Sequence, residues 1–146
     1  MKLGNLRQIG SGNIGATNVL RTGNKTAAAL TLLLDGGKGA LAVFFAHSFA
    51  GDATAQIAGL FAMFGHCYPA WLFFKGGKGV ATYVGILCSM NIMFGIVFGI
   101  CWIVTFFISK FSSLSSLIAS TSIPIYLLIL SQLDQVIFFT IMFVLI

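Results

Sequence analysis

Residues Val80 to Ile108 read VATYVGILCSMNIMFGIVFGICWIVTFFI and contain no charged side chain. The run is too long for one straight crossing of a hydrocarbon layer about 30 Å thick, for which roughly 20 apolar residues suffice. Within it, Ser89-Met90-Asn91 is where the apolar character breaks, so we expect a short helix followed by a full-length one. That division fixes the topology. It puts Lys110 on the same side as Lys75 and Lys78, and two earlier crossings place Lys2, Arg7, Arg21 and Lys25 there too, as the positive-inside rule requires.

Upstream, residues Ile9 to Thr26 form a loop rich in Gly, Asn and Thr, and Ala27 to Ala50 is a span interrupted near its middle by Asp35-Gly36-Gly37-Lys38-Gly39. Gly51-Asp52-Ala53-Thr54 reads as a turn and Ala55 to Phe74 as a second span. Downstream, Leu114 to Leu130 crosses outward with Pro124 as a kink, and Gln135 to Ile146 starts back and is expected to stop inside its last helix. The expected fold is an all-α polytopic integral membrane protein, one membrane domain over 1–146. About five to six transmembrane or re-entrant helices would carry glycine-rich loops toward the cytoplasm.

Composition agrees. The 146 residues are 58% hydrophobic and 8% charged, with a mean hydropathy of +1.02, values that exclude an ordinary water-soluble domain. Period-two alternation is absent, which argues against a barrel. The net charge of +5 comes from basic residues scattered between apolar runs, so no nucleic-acid-binding face is expected. Cys67, Cys88 and Cys101 have spacings that suit neither a disulfide framework nor a zinc site, and no metal or cofactor is implied. The N-terminus leads into a polar stretch instead of a secretory h-region, so insertion is expected to come from the internal helices.

Two loops carry the chemistry. Gly10-Ser11-Gly12-Asn13-Ile14-Gly15-Ala16-Thr17-Asn18-Val19-Leu20-Arg21 gathers glycines, hydroxyls, amides and a guanidinium within a dozen residues. Glycines let backbone N–H groups approach an oxyanion, and the side chains add donors around it. The stretch therefore reads as a phosphate cradle or as a flexible connector. Phe74-Lys75-Gly76-Gly77-Lys78-Gly79-Val80-Ala81-Thr82 places two lysines among three glycines just before a helix, an anion site by dipole and donors, or else a pair of interface-marking lysines. It lacks Walker A spacing, so a nucleoside triphosphate is not implied. Asp35 and Lys38 share a helix face, as a functional pair or as a packing ion pair. His66 reads as a residue whose ring hydrogen-bonds the following loop, or as a satisfied buried histidine. His47 and Asp52 fit a His-x-x-x-x-Asp pattern, but they lie one span away from both loops and are read as coincidence.

These ordered blocks, Gly10 to Asn18 with Arg21, Asp35-Gly36-Gly37-Lys38-Gly39, and Gly65-His66-Cys67-Tyr68-Pro69 running to Thr82, closely resemble the acyl-phosphate:glycerol-3-phosphate acyltransferases, the PlsY family of bacterial inner membranes. Tyr68 stands where Phe is more usual. The resemblance implies a helix bundle around a cytoplasm-facing groove, with acyl phosphate and glycerol 3-phosphate as substrates and membrane lipids as surroundings. It implies roles for Ser11 and Arg21 in the reaction, and Asn13 beside them and Lys38 within its span are expected to share in it. Gly12, Gly15, Thr17, Asn18, His66, Lys75, Gly76, Gly77, Lys78 and Gly79 would bind substrate. The family usually has a helix before its first motif and a third motif, His-x-x-Asn-x-x-Arg-Leu, after its last helix; neither is in this sequence. An inactive fragment, or a membrane protein that binds or transports anions without turnover, is the competing expectation.

Overall fold

The computed structural model describes residues 4–146, which form α-helices and two 3₁₀ turns, with no strand among the described residues. The helices are α1 (Ala16–Leu20), α2 (Lys25–Cys67), α3 (Val80–Met90), α4 (Ile92–Ser109), α5 (Ser112–Ile129) and α6 (Leu133–Val144). Three segments, Lys25–Leu72, Ile92–Ser109 and Ser112–Ile129, are long and apolar enough to cross a membrane. Phe49, Phe61 and Ile108 are at least 70% exposed, a surface that suits lipid as solvent.

Helix α2 is a hairpin. Gly51 interrupts it at φ 78°, ψ −171°, a backbone conformation open essentially to glycine alone, and the chain turns back there. The arms run antiparallel: His47 Nε2 meets Asp52 Oδ1 at 3.0 Å beside the turn, and Lys38 Nζ meets His66 Nδ1 at 2.6 Å further along. Residues 25–50 rise about 39 Å and residues 52–67 only about 24 Å. The second arm therefore ends well below the start of the first.

The expected turn at Gly51 and the break at Ser89-Met90-Asn91 are both present. Asn91 leaves the helix at φ −158°, ψ 124° and its side chain accepts from Met93 N–H. At 1.5 Å per residue, α3 rises about 16 Å, half a bilayer. The second span, in contrast, does not reach Phe74. It stops at Cys67, because the residue before Pro69 is pushed out of the helical region, and Tyr68 sits at φ −127°, ψ 55°. The first loop is also more ordered than expected, since Ala16–Leu20 is helical.

The Asp35-Gly36-Gly37-Lys38-Gly39 block does not interrupt its helix. Gly36 and Gly39 form a packing face: a Cβ on Gly39 would lie 2.6 Å from Thr82 O, so only glycine lets α3 approach this closely. Ser89 Oγ donates to Ala40 O at 3.0 Å along the same seam, and Trp102 Nε1 donates to Ser116 Oγ at 3.1 Å between α4 and α5.

The core gathers Tyr83, Ile86, Leu87, Ile123, Leu127 and Phe139, all fully buried. Tyr83 packs edge-on against Phe98 and Phe139 with ring centroids 5.9 and 5.8 Å away, yet its hydroxyl has no hydrogen-bond partner among the described residues. A buried hydroxyl left unpaired costs about 1–3 kcal/mol. Tyr83→Phe should therefore raise the thermal unfolding midpoint in detergent; a lower midpoint would mean the hydroxyl is satisfied.

Candidate functional site

The two glycine loops meet, and Arg7 joins them. Its guanidinium donates to Gly12 O at 3.5 Å in the first loop and to Lys75 O in the second. In the sequence Arg7 is only another positive charge near the N-terminus, so nothing there marks it as a clamp.

The first loop is built around Asn18, which is 2% exposed. Its Nδ2 donates to Leu6 O at 3.0 Å and to Asn13 O at 2.7 Å, while its Oδ1 accepts from Ser11 N at 3.1 Å and Arg21 Nη1 at 3.5 Å. Both amide hydrogens are spent inside the loop. Asn18 thus positions Ser11, Asn13 and Arg21, and its expected direct contact with substrate has no donor left to make it.

In the second loop the sequence expectation also shifts. Gly76 N–H donates to Cys67 O at 3.0 Å and Gly77 N–H to His66 O at 3.2 Å, so these two donors hold the loop against the end of α2. A Cβ on Gly76 would collide with the His66 and Cys67 carbonyls, which is why glycine stands there. Gly79 caps α3, an anion-favouring helix N-terminus.

Behind the loop, Lys38 Nζ donates to Asp35 Oδ1 at 2.7 Å and to His66 Nδ1 at 2.6 Å, and His66 Nδ1 lies 3.5 Å from Asp35 Oδ1. The Nε2 edge of the ring abuts Gly77. The His66 ring bonds back to the first arm of α2. Only its backbone carbonyl bonds the following loop, so of the two sequence readings the satisfied buried histidine is the one that fits.

A cavity of about 970 Å³ opens between these elements. Ser11, Asn13, Gly15, Thr17 and Arg21 line it from the first loop and α1, together with the packed edge of Asn18; His66, Lys78 and Gly79 line it from the other side. Lys38, Gly12, Lys75, Gly76 and Gly77 lie outside its wall. Lys110 and Ser112, which the sequence marked only as a helix boundary, also face it, Lys110 with its Nζ 5.3 Å from the Phe107 ring centroid. Farther in, the wall becomes apolar, with Val84, Phe98, Trp102 and Phe106. His47 and Asp52, at the hairpin turn, are exposed and remote from it, as expected.

The family model for glycerol-3-phosphate acyltransferases matches residues 1–146. The chain belongs to the glycerol-3-phosphate acyltransferase family. Its relatives there include the glycerol-3-phosphate acyltransferases of Roseobacter denitrificans, 59% identical over 84% of this chain, and Pelagibacter ubique, 58% identical over 97%. The acyltransferase-family chain spans 61% of the length of the first and 73% of the second. Among solved structures it matches PlsY (YgiH), an integral membrane glycerol 3-phosphate acyltransferase, in its glycerol 3-phosphate form, with a TM-score of 0.92 and 31% identity over 99% of this chain and 74% of that one. The lysophosphatidic acid form matches with a TM-score of 0.87 and 30% identity over 92% of this chain and 70% of that one. This acyltransferase-family chain is thus a multi-pass membrane protein with the PlsY fold.

Proposed function

We propose that the chain transfers an acyl group from acyl phosphate to the sn-1 hydroxyl of glycerol 3-phosphate, giving lysophosphatidic acid and inorganic phosphate, at the cytoplasmic face of a bacterial inner membrane. The observation that carries this reading is the single cavity that is polar and basic at its loop end and apolar beyond, a shape for a substrate that is phosphate at one end and hydrocarbon at the other. The glycerol 3-phosphate and lysophosphatidic acid forms of the PlsY structures are the acceptor and product this reaction needs. One membrane domain over 1–146 holds both loops, with Arg7, Arg21, Lys25 and Lys110 on the inward side by charge.

In the reaction, the acceptor hydroxyl oxygen forms a bond to the acyl carbonyl carbon, the mixed-anhydride C–O bond breaks, and phosphate leaves with the hydroxyl proton. An acyl phosphate already carries a good leaving group, so the protein's work is to position and to stabilise charge. Arg21, Ser11 and Asn13 hold the reacting phosphoryl and acyl groups; Lys78 and the N-terminus of α3 at Gly79 hold glycerol 3-phosphate. Lys38, His66, Lys75, Gly76 and Gly77 support that second loop from behind.

The test is conversion of labelled glycerol 3-phosphate by the purified chain in detergent, with acyl phosphate, acyl-CoA or acyl carrier protein as donor. Lysophosphatidic acid formed from acyl phosphate alone supports the reading. Formation from either thioester overturns the donor assignment. Binding of glycerol 3-phosphate without turnover on any donor would favour a non-catalytic anion-binding role.

A further inference from the structure

The apolar end of the cavity has a definite depth. It follows the seam between α3 and α4, walled by Val84, Gly85, Cys88, Gly95, Phe98 and Gly99. From Val80 beside the second loop to Cys88, α3 rises about 12 Å. The two α4 glycines differ in what faces them. A Cβ on Gly95 would collide with Cys88 Sγ, so the helices touch there and the seam closes. A Cβ on Gly99 would meet no atom within 4 Å, so the space in front of it is the slot itself. On the far side Trp102 is stacked on Phe106 with centroids 5.0 Å apart and is bonded to Ser116, which fixes the wall.

We propose that this seam measures the acyl chain, with Gly99 as its width gauge and the Cys88–Gly95 contact as its floor. The proposal rests on the acyltransferase reading above. A methylene excluded from an apolar slot loses roughly fourfold in affinity, so filling the slot penalises long chains progressively and spares short ones.

The experiment compares decanoyl phosphate, long enough to reach the floor, with butanoyl phosphate, which stops short of Gly99, as donors for the full chain, its Gly99→Leu and Gly99→Ala variants, and Cys88→Ala. The expected result is a graded fall in the long-to-short ratio of kcat/KM, at least tenfold for Gly99→Leu and smaller for Gly99→Ala. Cys88→Ala, which removes the sulfur at the floor, should move the ratio the other way. That opposite sign separates a ruler from simple misfolding. Turnover on both donors with ratios unmoved in all three variants would overturn the ruler and leave the acyltransferase reading standing. A second readout needs no turnover: N-ethylmaleimide labelling of Cys88, located by mass spectrometry with Cys67 and Cys101 as internal references. Decyl phosphonate should protect Cys88 and butyl phosphonate should not. Equal protection, or none, overturns the proposal even where no donor is turned over.

Discussion

Asn18→Ala should lower acyl transfer about a hundredfold while leaving the helical content unchanged. The amide makes four hydrogen bonds, to Leu6 O, Asn13 O, Ser11 N and Arg21 Nη1, and its loss strips the loop of all of them. At a net contribution of about 1 kcal/mol each, with the Arg21 bond long and weak, some 3 kcal/mol of loop order is lost, which corresponds to about two decades in rate. Asn18→Asp separates positioning from binding. It keeps the acceptor for Ser11 and Arg21 but places carboxylate oxygens against the Leu6 and Asn13 carbonyls, and should be at least as damaging as alanine. A variant series read as kcat and KM with acyl phosphate checks this; Asn18→Asp with near-normal kcat would show that the donors to Leu6 and Asn13 do not matter.

Lys38→Ala should lower both stability and turnover, and Asp35→Asn combined with Lys38→Met should restore most of each. Removing the lysine alone strands the Asp35 carboxylate within a membrane helix beside buried His66. Breaking a fully buried pair costs about 3–5 kcal/mol, but Lys38 is 44% exposed and Asp35 lines the cavity, so solvent screening lowers the expected loss to about 1–2 kcal/mol. Removing both charges leaves no stranded ion. Thermal midpoints in detergent and kcat/KM give the two readouts. Recovery of stability without recovery of turnover would return Lys38 to the reaction itself, the role expected of an ionisable group within a span, and would count against the supporting role given by its two short contacts.

Much of the fold is legible in residue order. The apolar runs and their lengths follow from the hydrocarbon thickness. Gly51 and Asn91 break helices in the sequence for the same reason they do in the structure, one by positive φ and the other by capping the next helix. The end of the second span was misplaced because Ala70 to Phe74 is as apolar as a helix, and hydropathy does not record that Pro69 has already ended it.

The site divides differently. Ser11, Asn13, Arg21, Lys78 and Gly79 are marked in the sequence because phosphate binding needs glycines and cationic or amide donors close together. The sequence alone therefore determined the family, the membrane-embedded all-α class and the two loops. Only the tertiary structure decided which donors remain for a ligand: it spends Asn18, Gly76 and Gly77 on the loops themselves, turns Lys38 and His66 toward Asp35, clamps the two loops with Arg7, and brings Lys110 and the α3–α4 seam to the cavity. The physical reason is that a donor's availability is set by what lies about 3 Å from it in space, and which loop carbonyls, which arm of α2 and which loop end come that close depends on how the chain folds back on itself, which residue order does not spell out.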